Sequence, residues 1–209
     1  MEPYPVSFSV DYPDRPLNRT TSAFRIFTII PIAIVIGLLE HANASYGDSG
    51  DSGTWFMAGT AGGTVIAPLV LMLLFRQKYP RWWYDWNLEL ARFGNRVTAY
   101  GLLMDDTYPS TDEHQSVHLE YPEVQGPELH RWLPLVKWFF AIPHYIVLFF
   151  LWIAVFFVVI VVWFTILFTG RYPRGMFEFI EGVLRWGNRV GGYAFALVTD
   201  KYPPFSLSA

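Results

Sequence analysis

Long apolar stretches alternate along this chain with segments in which apolar and charged positions recur at helical spacing. The apolar stretches run from Phe24 to Leu39, Trp55 to Phe75 and Trp132 to Phe168. In Arg174 to Tyr193, Phe177, Ile180, Val183, Leu184 and Val190 share one face, while Glu178, Glu181, Arg185 and Arg189 occupy much of the rest. That pattern predicts an amphipathic helix over 174–193, entered through Pro173. A second such helix is predicted over 81–100, with Trp82, Trp83, Trp86, Leu88, Leu90, Phe93 and Val97 as its apolar set. Near the start, Val6 to Tyr12 alternates apolar and polar residues and stops at Pro13, which suits a short strand on the membrane surface. Val117 to Tyr121 has the same character. The polar glycine-serine run from Glu40 to Gly53 reads as a loop.

These segments recur in the same order. Phe75-Arg76-Gln77-Lys78-Tyr79-Pro80-Arg81 returns as Phe168-Thr169-Gly170-Arg171-Tyr172-Pro173-Arg174, and Arg92-Phe93-Gly94-Asn95-Arg96-Val97 returns at the same offset as Arg185-Trp186-Gly187-Asn188-Arg189-Val190. Tyr100 and Asp106 correspond to Tyr193 and Asp200; upstream, Arg19 pairs with Arg131, Arg25 with Lys137 and Pro31 with Pro143. The chain therefore reads as two copies of one module, residues 1–113 and 114–209. Each copy runs strand, basic residue, apolar hairpin, Tyr-Pro, amphipathic helix and Asp-x-Tyr-Pro.

The repeat sets the expected fold class: mainly α, a polytopic membrane protein of four transmembrane helices arranged as two tandem hairpins. Each hairpin carries a cytoplasmic interfacial helix and a short strand. The expected spans are about 24–39 and 55–75, then 132–150 and 152–168. Two helices of about 17 residues in the second hairpin would reach roughly 25 Å, slightly short of a hydrocarbon core of about 30 Å. A single long tilted helix there is the alternative. All 15 Lys and Arg lie in residues 1–25, 76–137 and 171–209, whereas the loop from Glu40 to Thr54 has none. By the positive-inside rule the cationic segments, and with them both termini, are expected in the cytoplasm. An odd number of spans would export the cluster from Arg171 to Arg189.

Composition agrees with a membrane setting: 53% of residues are hydrophobic and 19% aromatic, and 16% are charged against roughly a quarter in soluble domains. From Trp138 to Gly170 there is no Asp, Glu, Lys or Arg. The acidic, proline-bearing leader is not expected to be a cleaved signal peptide. A net charge of -3 and the lack of any helix-turn-helix or zinc pattern argue against nucleic acid as a partner. With no cysteine, thiol catalysis and disulfides are excluded.

The second copy resembles a known family. The run Phe168 to Phe177, then Val183 to Val190, then Tyr193 to Phe205, preceded by Ile142-Pro143-His144-Tyr145-Ile146-Val147-Leu148, is similar to a bacterial membrane family known only as domain of unknown function 4389. The first copy departs from the pattern, with Gln77-Lys78 in place of Gly170-Arg171 and Ile32 in place of His144. The resemblance implies a multi-pass protein of the bacterial cytoplasmic (inner) membrane and implies no activity.

Candidate chemistry is sparse. His144 is an ionisable group inside an apolar run, a candidate intramembrane polar site or a plain interhelical hydrogen bond. Arg92 with Arg96, and Arg185 with Arg189, lie four apart on one helix face. They are candidates for binding lipid phosphates or a protein partner. Glu89 and Glu181 offer Arg92 and Arg185 local ion pairs, and Arg96 and Arg189 have none. Trp82, Trp83 and Trp86 suit headgroup depth, and these three with Trp186 join the arginines as candidates for lipid or partner binding. Asp106 and Asp200 read as turn-forming aspartates, and Pro31 and Pro143 as kinks within spans. His114 and His118 lie in or near a strand, where they do not make metal-ligand spacing. No catalytic residue, metal or cofactor is expected. The leading function is a structural or accessory membrane subunit that packs against partner membrane proteins or itself. A phospholipid-binding or lipid-transfer component is the alternative, and a small transporter or channel the next.

Overall fold

The computed structural model of the chain describes residues 4–42, 61–111, 113–124 and 129–208. The predicted glycine-serine loop beyond Ala42 and the first residues of the second expected span, 55–60, lie outside them. Strand β1 (Ser7–Val10) pairs antiparallel with β2 (Val117–Glu120), with Phe8 opposite Leu119 and Val10 opposite Val117. The alternation works as the pleat requires: Phe8, Val10, Val117 and Leu119 are buried, while their polar neighbours face out. An isolated two-stranded ribbon is marginal in water. Here β1 packs on helix α7 (Arg174–Ala194) and β2 on helix α4 (Arg81–Gly101). Both helices begin after an extended proline, Pro80 or Pro173, within a residue or two of the bounds their periodicity predicts.

The other helices are α1 (Arg19–Ala23), capped by the Asn18 side chain, α2 (Arg25–Ala42), α3 (Ala61–Arg76), α5 (Lys137–Phe140) and α6 (Ile142–Thr169). A 3-10 turn over Leu133–Leu135 leads into α5. Helix α6 corrects the expected second hairpin. The spans at 132–150 and 152–168 are replaced by one continuous helix of 28 residues, about 42 Å long. From Leu148 to Val155 the sequence holds no Gly, Pro, Asn or Asp with which to turn, so the helical hydrogen bonds run through. The chain turns earlier, between Trp132 and Ala141, and Pro143 sits in the first turn of α6, where it starts the helix instead of kinking it. Pro31 does lie inside α2. Gly170 ends α6 in the left-handed region at φ 73° and donates its N–H to the Ile166 carbonyl.

Helices α6 and α7 form an antiparallel pair joined by Gly170 to Pro173. Near the turn Tyr172 packs edge-on against Phe177, and at the far end Tyr145 lies against Phe195. A stripe on α6 comprising His144, Leu148, Val155, Val162 and Ile166 is buried against the body over nearly its full length. Helix α7 is enclosed, with Phe177, Ile180, Val183 and Val190 in the core. The apolar face of the helix expected at the interface over 174–193 is covered by α6 and β1 within the chain itself, while Arg174 and Glu178 stay exposed.

Helices α4 and α7 meet at two asparagines. Asn95 Nδ2 donates to Asn188 Oδ1 and Asn188 Nδ2 donates to Asn95 Oδ1, each at 2.8 Å. Each amide also donates to the carbonyl four residues back, Ala91 or Leu184. Removing one partner leaves a half-buried amide partly unsatisfied, so Asn95→Ala should cost about 1–3 kcal/mol. The double variant Asn95→Ala/Asn188→Ala should cost less than the sum of the singles, as read by denaturant unfolding in detergent. Additive losses would show that the pair is not coupled.

Candidate functional site

Two buried cations tie the ends of the fold together. Arg25, 2% exposed, bonds Asp106 at 2.7 Å, donates to the Asp105 carbonyl and lies 3.9 Å over the Tyr100 ring. Lys137, 0% exposed, bonds Asp200 at 2.6 Å, donates to the Thr199 carbonyl and lies 5.2 Å from the Tyr193 ring centroid. The second carboxylate oxygen accepts a backbone N–H in each case, from Asn18 to Asp106 and from His130 to Asp200. Burial pulls the Lys137 ammonium below its ordinary value, and the hydrogen bond and charge of Asp200 oppose this. The aspartates therefore do more than form turns. The sequence signal for these contacts was a cation and an aspartate recurring at matched places, Arg25 with Lys137 and Asp106 with Asp200; neither burial nor pairing could be read from it.

The four arginines serve the fold. Arg92 donates from Nε to the Leu119 carbonyl and pairs with Glu89; Arg185 donates from Nε to the Phe8 carbonyl and pairs with Glu181. Each thus holds the central residue pair of the ribbon against its helix. Arg96 and Arg189 are buried, donating to the carbonyls of Ser110 and Ser206, and Arg189 also lies over the Tyr4 ring. Burial, with Arg185 adding, pulls the Arg189 guanidinium below its ordinary value. Arg96 and Arg189, expected to contact lipid phosphate or a partner, are thus buried: each donates to a carbonyl of the chain, Ser110 in the segment after α4 and Ser206 in the C-terminal tail, while the Nε of each has no hydrogen-bond partner among the described residues. Arg189→Gln should lower thermal stability and leave lipid binding at saturating protein unchanged, a split readable from melting and vesicle flotation on the same sample.

The tryptophans divide. Trp82 and Trp86 are exposed on α4, with Trp83 half-buried and stacked on Trp86. Trp186, a candidate for lipid or partner contact, is internal: its indole N–H donates to His144 Nδ1 at 3.0 Å, within the chain. His144 is fully buried and stacks on Phe205 at 4.0 Å, with Tyr202 beside it. With Nδ1 accepting, the proton of a neutral ring resides on Nε2, which has no hydrogen-bond partner among the described residues. His144 thus joins α6, α7 and the tail. His118 faces out from β2 and meets Asp11 across the ribbon.

What remains on the surface is an apolar platform. Along the whole length of α6, opposite the buried stripe, large apolar side chains are exposed, with Ile146, Phe149, Phe150, Phe157, Phe164 and Phe168 among them. Phe27 and Ile30 of α2 and Trp138 and Phe139 of α5 extend the exposed apolar surface. Among the described residues α6 is the one helix long and apolar enough to cross a membrane by length and composition, which is weak evidence for membrane association.

Residues 132–206 match the model of a family described as Domain of unknown function (DUF4389). This segment belongs to that family. No curated protein and no solved structure matches the chain. The DUF4389 segment contains α5, α6, α7 and most of the tail, so the Lys137–Asp200 pair and the His144, Trp186 and Phe205 cluster lie wholly within it. The Arg25–Asp106 pair lies outside it.

Proposed function

We propose that this chain is a membrane-bound structural or accessory protein whose α6 lies along one leaflet, its exposed rings in the hydrocarbon and the rest of the body at the polar surface. The observation that carries this reading is the attachment of α6 at both ends to the same body. His144 bonds Trp186 at one end, and at the other the Gly170 carbonyl accepts the Leu17 N–H. Midway along the second half, Trp163 donates to the Ser22 carbonyl. If α6 crossed the bilayer, its antiparallel partner α7 would carry Glu181, Arg185 and Arg189 toward the middle of it. Each charge at the centre costs about 2.5–3.5 kcal/mol by insertion scales. An in-plane helix avoids that cost and leaves the Arg171 to Arg189 cations on the side of those before them, as the charge pattern asks. Trp82 and Trp86 continue, at helical spacing, the face by which Phe93 and Val97 of α4 meet Ile32 of α2, and serve as headgroup-level anchors.

Internal duplication is part of the same reading. It is supported by the matching pairs Arg25–Asp106 and Lys137–Asp200, the matching Arg92 and Arg185 bonds to the ribbon, and the mutual Asn95 and Asn188 bonds. The partners are membrane lipids first, then a membrane protein or a second copy seated beside the platform.

The chain has no cysteine, so single cysteines for nitroxide labels can be placed at will. Labels at Ile146, Ile153, Phe157, Phe164 and Phe168, which share one face of α6, should all report the same shallow depth in vesicles. A profile deepest at Phe157 and shallow at both ends rejects the in-plane helix in favour of a span. Absence of bilayer contact at every position rejects the membrane reading.

A further inference from the structure

The segments that carry the apolar platform hold cations and no anions. From Arg15 to Leu39, from Trp55 to Tyr84 and from His130 to Phe177 the sequence has no Asp or Glu. The exposed acids Asp11, Glu120 and Glu123 lie instead on the strands or just beyond them. At the end of α6 the fold gathers two of the cations at one turn. The Leu17 N–H donates to the Gly170 carbonyl, and a Cβ placed on Gly170 would lie 3.5 Å from Arg19 Nε. The Arg19 side chain therefore rests on the turn that Arg171 follows. Arg19 and Arg171 are both exposed, and neither side chain has an ion pair or hydrogen bond among the described residues. Phe168, two residues before Gly170, is 77% exposed, and Phe24, just after α1, is 58% exposed.

The arrangement recurs at the other copy. Gln77 follows α3 in the left-handed region at φ 46°, as Gly170 follows α6, and Lys78 comes next as Arg171 does. Leu129, which stands to Arg131 as Leu17 stands to Arg19, is buried in a cluster with Leu73 of α3. Arg131 and Lys78 are exposed and likewise have no ion pair or side-chain hydrogen bond among the described residues.

We infer that the Arg19 and Arg171 turn is a binding site for the phosphate of an anionic phospholipid, with Lys78 and Arg131 as its counterpart. The inference rests on the in-plane placement of α6, which brings both ends of that helix to one depth, that of the headgroups. Charge decides the occupant. Two guanidinium groups without a carboxylate can each take phosphate oxygens through a fork of N–H donors, and the exposed rings beside them meet the chains of the same lipid. A zwitterionic lipid brings its own cation to the site and gains less.

The test is flotation of the full chain on vesicles of phosphatidylcholine alone and of equimolar phosphatidylcholine and phosphatidylglycerol. The parent should prefer the anionic vesicles. Each cation at an anionic leaflet is worth about a factor of five, so Arg19→Gln/Arg171→Gln should weaken binding to the anionic vesicles about thirtyfold. Binding to phosphatidylcholine and the melting temperature should not change, since both side chains are exposed and unpaired. Arg19→Lys/Arg171→Lys keeps the charge, loses the planar fork and should stay weaker than the parent on anionic vesicles. Ser7→Asp/Ser9→Asp, on the exposed face of β1, changes the net charge equally and should bind as the parent does. An equal loss in that control, or parental binding by the lysine pair, overturns a phosphate site in favour of diffuse charge. Displacement by glycerophosphoglycerol, the headgroup without its chains, overturns the lipid in favour of a soluble phosphate compound. A lower melting temperature in the Gln pair with its anionic preference intact overturns the site and gives the arginines to the end of α6. Equal flotation of the parent on both vesicles overturns the site and leaves the membrane reading standing, whereas flotation on neither overturns both.

Discussion

Asp200→Ala should destabilise the protein by about 3–5 kcal/mol, because it strands a charge inside the fold. Lys137 is 0% exposed, and without Asp200 its ammonium keeps the Thr199 carbonyl and the edge of a cation–π contact with Tyr193. The same change frees the His130 N–H that Asp200 accepts. For a chain of this size the loss corresponds to a fall in melting temperature of about 6–20 °C. Asp106→Ala should cost less, since Arg25 retains the Asp105 carbonyl and a closer ring at 3.9 Å. The deficit at Asp200→Ala should also shrink as pH rises. Lys137 is a base whose folded pKa already lies below 10.5, and losing its anion lowers it further. Between the folded and unfolded pKa values the unfolded chain then binds more protons than the folded one, so stability rises with pH across that window. Lys137→Met in the Asp200→Ala background should recover much of the loss, as an apolar side chain of similar length needs no partner. Melting of the three variants in one detergent decides it, and a loss below about 1 kcal/mol for Asp200→Ala would mean that the pair is incidental.

Local patterns in this chain carry far more of the structure than its hydropathy does. Helical periodicity placed α4 and α7 within a residue or two of their ends, since Pro80 and Pro173 mark the starts and the apolar positions recur at three and four. Period-two alternation located both strands, although their pairing with each other is not written in either one. Hydropathy misled at Trp132 to Phe168. A run of apolar residues reports the solvent and not the turn, and the residues that decide the matter are the absent turn formers between Leu148 and Val155. Amphipathicity likewise shows that α7 has an apolar face but not what covers it: Trp186 and Arg189, candidates for lipid or partner contact, lie against α6 and the tail. The matched positions Arg25 with Lys137 and Asp106 with Asp200 were visible as correspondences between copies. Their meaning as contacts needs the chain brought back over some 60 to 80 residues, which no local rule supplies.

Charges placed on the outer face of α6 should abolish membrane binding and spare the fold. Phe150 and Phe157 lie seven apart, hence on one face, and are 64% and 61% exposed, so neither packs in the core. Transferring each ring from water to hydrocarbon contributes about 2 kcal/mol, and two rings give about 4 kcal/mol. Losing that much is roughly a thousandfold in partitioning, before the added cost of immersing two carboxylates. Phe150→Asp/Phe157→Asp should therefore remain with the soluble fraction in vesicle flotation, while keeping its helical circular dichroism and a melting temperature within a few degrees of the parent. Ser9→Asp, an exposed strand position on the polar side of the ribbon, adds a charge without touching α6 and should float as the parent does. The two outcomes separate the platform from net charge as the cause. If the double variant still floats, the bilayer contact lies elsewhere, and the exposed rings of α6 are then the seat of a protein partner that masks them.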